Sequence, residues 1–107
     1  TWPVLTRLIN ALTGFDLSES GLKRVGERIW NLERVYNLRE GVEEDMLPSR
    51  FFEEDLTDGL EGGKRVTKER FLNARSLYYE GRGWNGSGEP TEEKLKELGL
   101  DGVARIR

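Results

Sequence analysis

The sequence predicts an all-α fold of about four helices with one long irregular loop, arranged as an orthogonal or irregular bundle. Three observations carry that expectation. Apolar residues recur at steps of three and four in separate stretches, N-cap side chains and stop glycines bracket those stretches, and the segment between Gly41 and Val66 shows no strong period.

Val4, Leu5, Leu8, Ile9 and Leu12 place a first helix over residues 1–12, with Pro3 tolerable in its first turn and Thr13-Gly14 as the stop. Ser18 is a suitable N-cap for a second helix, predicted from about Glu19 to about Tyr36. Leu22, Val25, Ile29, Leu32 and Tyr36 form its apolar face, widened by Trp30 and Val35. A stripe that wide fits contact with more than one neighbour. Gly26 costs the helix ~1 kcal/mol against alanine, which suggests the close approach of another backbone. Asn37 is the expected helix end, with a further break at Gly41.

The stretch 41–66 carries Pro48, Gly59, Gly62 and Gly63, yet its Met46–Phe52 portion is too apolar to stand free in water. Long structureless loops usually drape over something, here another part of a larger protein. Thr67 caps a third helix through about Glu80, bearing Phe71, Leu72, Arg75, Tyr78 and Tyr79. Gly81, Gly83, Gly86 and Gly88 make a turn-rich joint around Trp84. Thr91, followed by Glu92 and Glu93, starts a short last helix that buries Leu95 and Leu98 and stops at Gly99. The tail 105–107 is expected to fray. Residues 1–107 thus read as a single helical domain.

Hydrophobic residues make up 36% of the chain and charged residues 35%. A chain of this size can build only a modest core, burying about 65% of its unfolded surface. The net charge of −3 is spread along the chain, which argues against nucleic acid as a partner. No apolar run approaches a membrane span, and none resembles a secretory signal. The opening at Thr1 fits a segment of a longer polypeptide. There is no cysteine and no histidine. Within this chain that removes thiolate nucleophiles, iron–sulfur ligation and the usual general base.

Each polar cluster has a bland reading that outweighs the chemical one. Glu43-Glu44-Asp45 and Glu53-Glu54-Asp55 lack the spacing of a calcium loop and read as solvated acidic surface. Glu27, Glu33 and Arg34, near Arg24 and Arg28, read as surface ion pairs of a helix. Gly81-Arg82-Gly83-Trp84 follows no strand, so it reads as a turn seating Trp84 against the helices, not a phosphate loop. Asn37, Arg39 and Glu40, after the second helix, and Arg50, Phe51 and Phe52, in the loop, are the candidates for contact with another domain; Arg39 can make a bidentate contact with a carboxylate or a phosphate. No residue is assigned a catalytic, cofactor-binding or metal-binding role.

Several stretches, in order, resemble the aldehyde:ferredoxin oxidoreductase family. They are Leu12–Asp16, Val25–Arg34 running into Tyr36–Gly41, Leu47–Glu54, Tyr78–Trp84 and Pro90–Leu100. In that family they look like the end of a polypeptide several times longer. The resemblance implies an intact cytoplasmic enzyme that oxidises aldehydes to carboxylic acids and passes electrons to ferredoxin. It would hold tungstopterin (or molybdopterin) and a [4Fe-4S] cluster through residues that precede this segment. The segment's partners would be the N-terminal and middle domains, with a homodimer possible, and its task architectural. The link between Glu54 and Lys68 departs from the family pattern and leaves the substrate open. Two other readings remain: a stand-alone helical interaction module, and a hydrolase built on the carboxylates.

Overall fold

A computed structural model describes residues 1–42, 45–55 and 64–105. Among them are five helices and no strand: α1 (Trp2–Thr13), α2 (Glu19–Arg39), α3 (Arg50–Glu53), α4 (Lys68–Arg82) and α5 (Glu92–Glu97). The all-α expectation holds.

The helix ends follow the capping chemistry. Ser18, Thr67 and Thr91 each accept a hydrogen bond from the backbone N–H three residues on, at 3.0, 3.2 and 3.1 Å. Gly14 closes α1 with φ 76°, donating its N–H to the Asn10 carbonyl. Three expectations need correction. α2 does not end at Asn37 but continues to Arg39, because Glu40 and Gly41 still donate to the Tyr36 and Leu38 carbonyls. A one-turn helix, α3, forms within the loop region; Gly59, Gly62 and Gly63 lie outside the described residues. No described atom beyond its local backbone comes within 4 Å of a Cβ built on Gly26, so no backbone approaches there.

The apolar core is small: Val35 of α2 packs with Leu95, Leu98, Leu100 and Ala104. The tail is therefore anchored as far as Ala104, while 106–107 lie outside the described residues. Arg24 adds a tie from α2 to the end of α5 by donating to the Glu97 carbonyl at 3.1 Å. α1 packs on α2, and Thr6 is its one buried residue, its hydroxyl donating to the Trp2 carbonyl at 2.7 Å. The Asn10 side chain clasps the connection, exchanging hydrogen bonds with the Leu17 backbone at 2.9 and 3.0 Å.

The outward surface is strongly apolar. Leu8 and Leu12 of α1 are 54% and 77% exposed, and Ile29 and Tyr36 of α2 are 54% and 62% exposed. The apolar face read from the sequence is real in its spacing, but it points away from this chain's own core. The radius of gyration is 18.1 Å. A compact chain of this length would have about 13 Å.

Candidate functional site

The most organised feature is polar. On α2, Glu27, Asn31 and Arg34 stand at steps of four and three, hence on one face. That face is covered by α4 and by the loop after it. Arg34 stacks over Trp84, 4.9 Å from guanidinium carbon to ring centroid, and lies 5.8 Å from the Tyr79 ring.

Asn31 is fully buried. Its Nδ2 donates to the Glu27 carbonyl at 2.8 Å, and its Oδ1 accepts from the Trp84 indole N–H at 2.8 Å. Both ends of the amide are thus used, as burial requires. Arg34, 8% exposed, donates from Nε to the Gly88 carbonyl at 2.8 Å and from Nη1 to Asp45 Oδ1 at 3.2 Å. Its Nη2 lies 3.0 Å from Asp45 Oδ2 as an ion pair, although the angle is poor for a hydrogen bond. Tyr79 Oη donates to the same carboxylate at 2.6 Å, and Arg75 donates to the Asp45 carbonyl at 3.0 Å. Burial first, then the hydrogen bond to Asp45 and its negative charge, raise the Tyr79 phenol above its ordinary pKa.

The glycine-rich joint is what allows this closure. Asn85 Oδ1 accepts from the N–H groups of Ser87 and Glu89, and Asn85 N–H donates to the Glu89 carbonyl at 2.8 Å. Gly88 has φ 76°, a left-handed conformation that glycine adopts without steric cost. A Cβ there would lie 2.7 Å from Tyr79 Cζ. A second ion pair joins Glu27 to Arg82, whose guanidinium also sits over Trp30 and Tyr78 at 5.5 and 5.3 Å. Between α2 and α4 this leaves a cleft of about 410 Å³, lined by Trp30, Asn37, Phe71, Ala74, Arg75 and Tyr78 among others.

Trp84 is seated as the sequence suggests, 7% exposed. Glu27 and Arg34, however, are not free surface charges: each pairs with a distant residue, Arg82 and Asp45. Nor is Asp45 simply solvated; its two neighbours, Glu43 and Glu44, lie outside the described residues. Of the second acidic cluster, Glu54 and Asp55 pair with Arg50 and Arg65 at 3.3 and 2.7 Å.

The six candidates for interdomain contact do not converge. Asn37 lines the cleft, while Arg39 and Glu40 stand exposed at the end of α2. Arg50 is exposed beside Glu54, Phe51 points outward, and Phe52 turns inward to meet Phe71 edge-on at 5.8 Å. Sequence reading missed Asn31, Asp45 and Gly88 as partners. A faint signal was available: Asn31 and Arg34 interrupt the helical pattern on the side opposite the apolar stripe.

The donor chemistry is narrow. The 107 residues contain no thiolate and no imidazole, and among the described residues no group of three or more acidic side chains is placed to hold a metal ion. These residues do not fit ligation of an iron–sulfur cluster. No described helix is long and apolar enough to cross a membrane.

Comparison with known proteins gives this arrangement its context. The family model described as aldehyde ferredoxin oxidoreductase, domains 2 & 3, matches residues 1–100. The chain belongs to this family. It is 44% identical over 99 residues to the tungsten-containing aldehyde ferredoxin oxidoreductase of Pyrococcus horikoshii, covering 90% of this chain and 16% of that protein. It is 43% identical over 97 residues to the same-named protein of Pyrococcus abyssi, covering 88% of this chain and 16% of that one. It is also 36% identical over 104 residues to the aliphatic sulfonate oxidoreductase, WOR-like subunit, of Pyrococcus furiosus, again covering 90% of this chain and 16% of that protein. The chain thus spans about one sixth of the length of these aldehyde ferredoxin oxidoreductase relatives.

Proposed function

We propose that residues 1–107 form the non-catalytic C-terminal helical domain of a tungsten-dependent aldehyde oxidoreductase and act as a buttress. The intact protein would be a cytoplasmic enzyme converting aldehydes to carboxylic acids, with electrons leaving to ferredoxin. Tungstopterin and a [4Fe-4S] cluster would supply the redox chemistry, held by residues outside this chain. Asn37, Arg39, Glu40, Arg50 and Phe51 would meet the preceding domains.

One observation carries the reading: the chain folds around a polar network and leaves its apolar helix stripes open. A catalytic domain would gather reactive groups in a cleft. In the cleft Arg34 and Asp45 neutralise one another and Tyr79 donates to the same carboxylate, and the role read here is one of shape. Fixing α2, α4 and the Trp84 loop as one unit gives a rigid wall of the kind a cofactor cavity needs.

The test is to purify the intact protein and the 107-residue chain separately and measure tungsten, iron and aldehyde oxidation with a dye acceptor. The intact protein is expected to hold both metals and turn over aldehyde, and the short chain to do neither. Stoichiometric metal or aldehyde oxidation in the short chain would refute the architectural role. An intact protein inactive on every aldehyde, yet loaded with tungsten, would refute the substrate class.

A further inference from the structure

Of the five asparagines, only Asn85 is followed by glycine and only Asn85 lies outside a helix. Asn10, Asn31, Asn37 and Asn73 sit within α1, α2 and α4, where the next residue's N–H belongs to the helical ladder. Asn85, Gly86 and Ser87 instead form an exposed turn, closed by the Gly88 N–H on the Asn85 carbonyl at 2.9 Å. The Gly86 N–H makes no hydrogen bond among the described residues. The side-chain amide of Asn85 is folded back over that free peptide nitrogen. Its Oδ1 accepts from the Ser87 and Glu89 N–H groups at 2.9 and 3.1 Å, and its Nδ2 donates to Glu89 Oε2 at 3.2 Å.

We infer that Asn85 is a site of spontaneous covalent modification, where the Gly86 nitrogen closes on the side-chain amide and converts Asn85 to aspartate and isoaspartate. The Gly86 nitrogen gives its proton to a solvent base and forms a bond to Asn85 Cγ. The Cγ–Nδ2 bond breaks, and Nδ2 leaves as ammonia with a proton taken from water. Water then opens the five-membered imide at either carbonyl, giving aspartate or isoaspartate. The two N–H groups on Oδ1 polarise its carbonyl and stabilise the negative charge that develops there during the attack. Glycine suits the attacking position because it has no side chain to crowd the approach.

The products alter the joint that holds the polar network. Aspartate at 85 sets a second carboxylate against Glu89 Oε2 where an N–H stood, and like charges at that range repel. Isoaspartate inserts a methylene into the main chain between two groups that bond across the turn. These are the Asn85 N–H, on the Glu89 carbonyl at 2.8 Å, and the Asn85 carbonyl, which accepts from Gly88. The Gly88 carbonyl in turn accepts from Arg34 Nε, so the modification loosens the closure over Trp84.

The test ages the intact protein in mildly alkaline buffer and follows each asparagine peptide by mass spectrometry, with fresh protein digested in parallel. The Asn85 peptide is expected to gain the mass of an amide turned acid and to split into aspartate and isoaspartate forms. Asn10, Asn31, Asn37 and Asn73 are expected to remain amides over the same period. A Cβ built on Gly86 meets nothing within 4 Å, and its φ is not left-handed, so Gly86→Ala fits the fold. That variant should slow the conversion about tenfold, equivalent to about 1.4 kcal/mol in the barrier. Hydrogen exchange across residues 85–89 should be faster in the aged protein than in the fresh one. Retention of the Asn85 amide in the folded protein, while the digested peptide converts, overturns the site. Conversion to aspartate alone, unmoved by Gly86→Ala, overturns the ring-closing route. Unchanged exchange across 85–89 after conversion overturns the loosening of the loop.

Discussion

The two sides of α2 obey opposite rules. One side buries an amide and a guanidinium, Asn31 and Arg34, beneath Trp84 and Tyr79; the other shows Ile29, Leu32 and Tyr36 to solvent. In a self-sufficient domain the hydrophobic effect would be expected to choose the apolar side, since full burial of one such side chain is worth about 1.5–3 kcal/mol. Here the polar side is closed by hydrogen bonds, and the apolar side stays open. Polar contacts fix how α2, α4 and the loop after α4 fit together.

The largest effect should come from the centre of the polar side. Arg34→Ala removes the hydrogen bond to the Gly88 carbonyl, both contacts with Asp45 and the stacking on Trp84. Losing one partner of a buried charge pair costs about 3–5 kcal/mol. Because Asp45 remains half in water, the lower end is expected, about 3 kcal/mol by urea unfolding. A loss below about 1 kcal/mol would mean the network is decoration, since that is the scale of an exposed pair. Next comes Gly88→Ala, which combines a left-handed φ with collision against the Tyr79 ring. Strain of this kind is worth about 1–3 kcal/mol, and the lost Arg34 contact should appear as weaker quenching of Trp84 fluorescence.

How much of this was readable in the sequence depends on the range of the interaction. The caps at Ser18, Thr67 and Thr91 and the stops at Gly14 and Gly99 are local chemistry, so they were legible residue by residue. The spacing of the apolar stripe was legible too, but its direction was not. Periodicity says that a face exists, not what covers it. The Arg34–Asp45 and Asn31–Trp84 contacts join residues 11 and 53 positions apart, and no local rule distinguishes Arg34 from the other arginines of α2. Helical spacing favoured local ion pairs there, and tertiary packing overrode it. The α2 terminus was misplaced because Asn37, often a helix end, here keeps the helical path while Gly41 takes the left-handed turn at φ 89°.

A smaller effect separates the polar side by pH. The Tyr79 phenol is raised above its ordinary value by burial, helped by the hydrogen bond to Asp45 and its charge. The neutral form is therefore favoured by folding. Its contribution is fully present below the unfolded pKa of about 10 and is lost as pH rises through the raised folded value. Phenolate absorbance should show one of the three tyrosines titrating later than the others. Asp45→Asn should bring that titration earlier, because the carboxylate no longer opposes phenolate while Arg34 and Arg75 still favour it. Three tyrosines titrating together would deny the burial of that ring.

The smallest effect belongs to the apolar side, and its smallness is the point. Ile29→Ser in the 107-residue chain replaces an aliphatic side chain that is already 54% exposed. Substitutions at such positions usually change stability by less than about 0.5 kcal/mol. In the intact protein the same change would remove a buried side chain from an interdomain core and should destabilise by about 2 kcal/mol. The difference between the two unfolding measurements, not either one alone, reports whether that face is covered. Equally small losses in both proteins would mean that the face stays open in the intact protein as well, and a loss near 2 kcal/mol in both would mean that Ile29 is already packed within this chain.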